Sequence, residues 1–126
     1  IFLDRKNARQ GMKDMKDAIS KIKKGHSYVI FPEGSRSEDG TIGEFKKGSF
    51  KLATDTNARI LPITIVGTYQ VQSRKSLKVT PNKNIKIIVD KPVDLKEMSR
   101  EEKKDVHNIV NKIIKNNFEE YNLKQG

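Results

Sequence analysis

The chain has no cysteine, and that absence removes disulfides, thiolate nucleophiles and cysteine-ligated zinc from consideration. It also fits a reducing compartment. Tryptophan is absent too. The three tyrosines and five phenylalanines are not interleaved with basic side chains as a stacking platform, which argues against single-stranded nucleic acid as a partner. No apolar run approaches the roughly 18 to 20 residues that span a bilayer, and nothing resembles a signal peptide. Any membrane contact made by this stretch is therefore expected to be peripheral.

Positive charge is abundant. Lys and Arg number 26 against 16 Asp and Glu, a formal net charge of +10 in 126 residues. Such an excess concentrates anionic partners, whether phosphate metabolites, anionic lipid headgroups or nucleic acid, without choosing among them. Apolar residues make up 34% of the chain and fall in periodic clusters, so one folded domain with a solvated lysine surface is expected rather than disorder.

The clusters alternate in kind. "IFL" at residues 1–3 reads as the end of a buried strand with no methionine, cap or turn ahead of it. The chain is accordingly expected to be the C-terminal part of a single domain truncated at its N-terminus. Ala8, Met12, Met15, Ala18, Ile19 and Ile22 recur at helical spacing as a core-facing stripe, and Gly25 is a natural stop. "SYVIF" (27–31) and "RILPITIVG" (59–67) read as buried strands, separated by a turn and by a short helix from Gly48 to about Thr56. "QVQSRKSLKVTPNKN" (70–84) is a basic excursion, "IKIIVDKPV" (85–93) a later strand, placed at a sheet edge by its partial alternation. Ser99 and Glu102 form a capping box ahead of a long helix whose apolar face runs from Val106 to Tyr121. This order predicts an α/β fold, a largely parallel or mixed sheet with flanking helices.

In such sheets ligands collect beyond the carboxyl ends of the strands. There the sequence places Glu33, Gly34, Ser35 and Arg36: a glycine that lets backbone approach a ligand, a hydroxyl donor, and a guanidinium fork suited to phosphate oxygens. Glu33 reads as a carboxylate that orients an arginine. Arg5 stands at the same kind of strand end. Lys46, beside an expected helix start at Gly48, adds a further anion contact. Each piece alone is ordinary; together they read as a phosphate cradle.

"FPEGSRS" (31–37) resembles the F-P-E-G-[ST]-R-S block of the glycerophospholipid acyltransferases, and other pieces follow in that family's order. "IFLDR" is similar to its second block, ending at Arg5. Phe45, Lys46 and Gly48 match the F-K-x-G that continues its third, and "ARILPI" resembles its fourth, with Arg59 in place of the first proline and Pro62 as the second. The resemblance implies that Arg5, Glu33, Gly34, Ser35 and Arg36 hold the acceptor's phosphate, and that Pro62 lies on the acyl-side strand. It implies a parent enzyme that moves a fatty acyl group from acyl-CoA or acyl carrier protein to 1-acylglycerol-3-phosphate, giving phosphatidic acid in phospholipid biosynthesis. The implied partners are the lysophospholipid, the acyl donor as co-substrate, and an anionic membrane at its cytoplasmic side; no metal, further cofactor or nucleic acid is implied.

The family assigns its proton transfer to a first block, N-H-x-x-x-x-D, whose histidine acts as general base. Five residues after His26 stands Phe31, and five after His107 stands Lys112, so neither histidine makes that dyad. Both read as structural or exposed histidines. No catalytic residue is expected in this chain, which is expected to be inactive alone. The alternative is a non-catalytic module for phosphate-bearing lipid or anionic membrane.

Overall fold

A computed structural model describes residues 7–125. Its first element, α1 (Ala8–Lys23), is capped at both ends by its own sequence. The Asn7 side chain accepts from the amide of Gln10 at 3.2 Å. At the other end the amides of Gly25 and His26 reach back to the carbonyls of Ile22 and Lys21, the paired bonds of a Schellman stop. Ala18 is buried, whereas Met12, expected in the apolar stripe, is exposed.

A 3-10 turn (Lys47–Phe50) leads into α2 (Lys51–Thr56), which ends at Asn57 in the left-handed region. Strand β1 (Ile63–Val66) follows, then the one-turn helix α3 (Thr68–Val71), strand β2 (Lys86–Val89), a second 3-10 turn (Leu95–Glu97), α4 (Arg100–Lys104) and α5 (Val106–Gln125). The expected capping box is present: the Ser99 amide donates to Glu102 Oε2 at 2.7 Å and the Glu102 amide to Ser99 Oγ at 3.2 Å. The single long helix expected after it is divided at Asp105 into α4 and α5.

The α/β class holds, with one correction to the sheet. Among the described residues the ladder is antiparallel: β1 pairs β2 with Ile63 opposite Val89 and Val66 opposite Lys86, and an Ile60–Val93 bridge extends it. The run at 28–31 forms no ladder there, and Val29 and Phe31 are 83% and 74% exposed. An extended segment becomes a strand only where a neighbour exchanges backbone hydrogen bonds with it, and none of the described segments does so. The strand expected at residues 1–3 lies outside the described residues.

Because directly opposed residues share a face, Thr64, Val66, Lys86 and Ile88 turn one way and Ile63, Ile65, Ile87 and Val89 the other. Asn117 of α5 fixes the first face, donating to Thr64 Oγ1 at 3.2 Å and to Asp90 Oδ2 at 2.6 Å, while Lys86 lies 5.2 Å above the Tyr121 ring. The core beside this face is Phe45, Phe50, Leu95, Val106 and Val110. The two phenylalanine rings stack with centroids 6.2 Å apart. Leu95 is fully enclosed.

Gly67 joins β1 to α3 with φ 98°, and a Cβ there would lie 2.2 Å from the carbonyl oxygen of Asn84. Side chains disfavour that dihedral, and the obstructing atom is backbone that cannot rotate away. Gly67→Ala should lower stability by about 3 kcal/mol. A urea unfolding curve with an unchanged midpoint would show that the turn relaxes freely.

Candidate acceptor-binding site

The segment "FPEGSRSEDGTIG" (31–43) leaves the extended run and folds into a loop anchored at several points. Gly34 turns it, with φ 73° and an amide that donates to the Phe31 carbonyl at 3.1 Å. The Lys46 amide donates to the Pro32 carbonyl at 3.0 Å, so "FKKG" returns beside "FPEG". Glu33 Oε2 accepts from the Gly43 amide at 2.9 Å, and the Gly43 carbonyl accepts from Asn111 Nδ2 of α5 at 2.8 Å. Among the described residues Glu33 therefore engages backbone rather than an arginine.

Beyond Arg36 the loop is tied by Asp39. Its Oδ1 accepts from the Ser37 hydroxyl (3.1 Å), the Thr41 amide (3.0 Å) and the Thr41 hydroxyl (2.7 Å), while Ser37 Oγ accepts from the Gly40 amide. These bonds, the Thr41 hydroxyl first, hold the Asp39 carboxyl below the usual carboxylate range. A second set of ties comes from the basic excursion. The Tyr69 hydroxyl donates to the Glu38 carbonyl at 3.1 Å, and Arg74 Nη1 lies 2.8 Å from Glu38 Oε1 and 3.5 Å from the Arg36 carbonyl. An exposed ion pair of this kind adds little stability, but it fixes where the loop sits.

With its neighbours so engaged, the loop presents Ser35 and Arg36, both exposed and neither bonded through its side chain among the described residues. Glu33, Gly34, Ser35, Arg36, Gly48 and Pro62 all border one broad open groove that runs along much of the described chain, so sharing it does not by itself bring them to one point; Lys46 does not border it. The helix start expected at Gly48 is a four-residue 3-10 turn, whose few aligned peptides make a weak dipole, and Lys46 makes no side-chain cap. Pro62 is buried at the entry to β1. Arg5 lies outside the described residues. His26 borders the same groove. His107 keeps a buried Nδ1 with no hydrogen-bond partner among the described residues, so no carboxylate orients it there.

Sequence reasoning missed Asn111, Tyr69 and Arg74 as supports of this loop. Asn111 is 68 residues from its partner Gly43, and no local pattern marks such a bond. Nor does polarity mark it, since α5 carries five asparagines.

With the geometry in place, comparison with known proteins gives its class. The acyltransferase family model matches residues 1–66, more than half of the sequence, and the chain belongs to the acyltransferase family. It is 37% identical to the chloroplastic 1-acyl-sn-glycerol-3-phosphate acyltransferase of Arabidopsis thaliana, over 74% of this chain and 26% of that protein. It is 33% identical to the 1-acyl-sn-glycerol-3-phosphate acyltransferase of Borreliella burgdorferi, over 87% of this chain and 44% of the relative. The crystal structure of the 1-acyl-sn-glycerophosphate (LPA) acyltransferase PlsC from Thermotoga maritima superposes with a TM-score of 0.80 at 34% identity, covering 90% of this chain and 46% of that one. The chain thus spans less than half the length of these relatives.

Two outcomes follow from the anchored loop. Asn111→Ala should cost about 1 kcal/mol and speed hydrogen exchange at Gly43 and the residues around it; unchanged exchange would mean that Glu33 alone holds the turn. Since Asp39 is lowered relative to the unfolded chain, its anchoring is complete above the ordinary carboxylate range and is lost as pH falls through the lower folded value. The Thr41 amide resonance should titrate with a midpoint below about 3.9, the value of a free aspartate; a midpoint at or above that value would remove the Asp39 anchor.

Proposed function

We propose that this chain is the acceptor-binding part of a 1-acylglycerol-3-phosphate acyltransferase, which moves a fatty acyl group onto lysophosphatidic acid to give phosphatidic acid. The observation that carries the reading is the anchored 31–43 loop, which presents the Ser35 hydroxyl and the Arg36 guanidinium at the edge of the groove with no side-chain bond among the described residues. A guanidinium held out by a fixed loop is suited to two phosphate oxygens at once, and the neighbouring hydroxyl to a third. Gly34 allows the backbone close to the ligand. Glu33 acts through the Gly43 amide to hold the turn, and Arg5 adds a second cation from outside the described residues. Pro62 fixes the strand that borders the acyl side.

In the full reaction a base removes the proton of the acceptor's free hydroxyl and the oxygen attacks the thioester carbonyl. The carbon–sulfur bond then breaks, releasing the thiol of coenzyme A or acyl carrier protein. The base is supplied from outside these 126 residues, because neither His26 nor His107 has an aspartate at the required spacing. The lysophospholipid and its product live in membranes, which suits a parent protein working at the cytoplasmic surface of an anionic bilayer. Among the described residues no helix is long and apolar enough to cross one.

Titration of the chain with a short-chain lysophosphatidate, below its micelle concentration, tests the site. Arg36→Ala should weaken binding by about tenfold to a hundredfold, as expected for loss of a charge-assisted pair, while the uncharged monoacylglycerol binds neither form. Equal affinity in the variant would remove Arg36 from the site. The chain alone should show no transfer from acyl-CoA, and measurable turnover would locate the base within it.

A further inference from the structure

Between Thr68 and Val89 the chain carries Arg74, Lys75, Lys78, Lys83 and Lys86 and not one acidic residue. The middle of this stretch is ordered by its own bonds. The Ser76 amide donates to the Ser73 carbonyl (3.2 Å), Gln72 Nε2 to the Ser76 carbonyl (3.3 Å), the Lys78 amide to Ser76 Oγ (3.0 Å), and the Thr80 amide to the Val71 carbonyl (2.8 Å). The last bond closes a ten-residue loop from Val71 to Thr80. Just after the turn at Arg74 and Lys75, Leu77 is 96% exposed and Val79 is 59% exposed. A lone exposed leucine needs no explanation. A fully exposed leucine between Lys75 and Lys78, on a loop that holds its shape, has the make-up of a surface that meets an apolar layer beneath a negatively charged one.

We propose that the 71–80 loop is a membrane-insertion loop for an anionic bilayer, with Leu77 and Val79 entering the acyl boundary and Lys75 and Lys78 pairing with headgroup phosphates. Arg74 places this loop beside the acceptor site, since its guanidinium reaches both the Glu38 carboxylate and the Arg36 carbonyl. The contact therefore brings Ser35 and Arg36 to the bilayer surface, where a lipid headgroup enters the site without its acyl chain crossing water. This rests on the lipid-acceptor reading above and adds the surface through which the acceptor arrives. Nucleic acid fits the loop less well: it would meet the cations, but there is no aromatic residue between Gln70 and Val89 on which bases could stack.

The absence of tryptophan makes the test clean, because Leu77→Trp introduces the sole indole of the chain. On vesicles of equal phosphatidylcholine and phosphatidylglycerol its emission should shift to the blue and be quenched by brominated acyl chains, with no shift on phosphatidylcholine alone. Lys75→Ala with Lys78→Ala should lower partition to the anionic vesicles by about tenfold or more. Leu77→Asp, at an exposed position that folding does not use, should lower it by about tenfold. Vesicle-bound chain whose indole stays unshifted would overturn the proposal, as would a Leu77→Asp variant that partitions like the parent sequence. An indole that responds to duplex or single-stranded nucleic acid and not to vesicles would overturn it in favour of that partner. Short-chain lysophosphatidate in solution should bind Leu77→Asp and the parent sequence equally. Loss of vesicle binding and loss of the Arg36 site are therefore separate results.

Discussion

The bond from the Gly43 amide to Glu33, continued from the Gly43 carbonyl to Asn111, is the constraint on which the rest of the site depends. A loop of thirteen residues between Phe31 and Gly43 has many shapes open to it, and closing it brings its ends together at an entropic cost that its own short-range bonds only partly offset. The Glu33 carboxylate closes the loop at its neck, and Asn111 attaches the closed neck to α5, whose buried Val106 and Val110 sit in the same core as Phe45. Position is thus transmitted from packed apolar side chains to the loop through these two hydrogen bonds and through Ile42, which packs against the same core. A substituent at Gly43 would reach 3.2 Å from Glu33 Oε2, so the backbone there is close to the carboxylate as well as bonded to it.

What the sequence revealed of this arrangement divides by range. Helix α1 with its stop, the capping box at Ser99 and the apolar run along α5 are written in residues three to ten positions apart and each was legible; the strand read at 59–67 is present but confined to Ile63–Val66. The antiparallel pairing of β1 with β2 was not, because nothing local records which segment lies beside which. Leu95 escaped notice for a related reason. It stands alone among "DLKEM", without periodicity, and becomes the fully enclosed centre of the core only when Phe45, Phe50 and α5 converge on it. Phe45 was read as part of a motif, and the structure adds that it is a core residue stacked on Phe50. The motif's order in the chain gave Glu33 an arginine to orient, where the described residues give it a backbone amide.

Charge needs the same discrimination. A surplus of ten positive charges says nothing about which cation binds and which is merely solvated. Bonding decides it: Arg74 is committed to Glu38, Lys86 to the face of Tyr121 and Lys103 to Asn57, whereas Arg36 stands on an anchored loop with its own carboxylate neighbours turned inward or paired elsewhere. Asp39 faces Ser37 and Thr41, Glu33 faces Gly43, and Glu38 faces Arg74. The negative groups closest in sequence to Arg36 are each occupied by a donor of their own. Of these only Glu38 is paired with a cation; amide and hydroxyl donors orient the Asp39 and Glu33 carboxylates without cancelling their charge, so what favours a phosphate at Arg36 is the direction in which those carboxylates are held.

The sheet and the loop are also coupled in a way that follows from one backbone angle. Gly67 turns the chain at the end of β1 directly into α3, and the turn fits only because no side chain stands between it and Asn84. Because α3 starts there, Tyr69 lies against Gly40, where an added Cβ would come within 2.9 Å of its ring, and its hydroxyl reaches the Glu38 carbonyl. Arg74, a few residues further on, takes the Glu38 side chain. Rotation of the β1–α3 corner would move both contacts together. The stretch after Arg36 is thus held from the sheet side through Gly67, and the stretch before it from the helix side through Asn111. Arg36 sits between two supports that share no residue: the neck closed by Glu33 sets where the loop leaves the core, and the Tyr69 and Arg74 contacts then limit how far the guanidinium can stray.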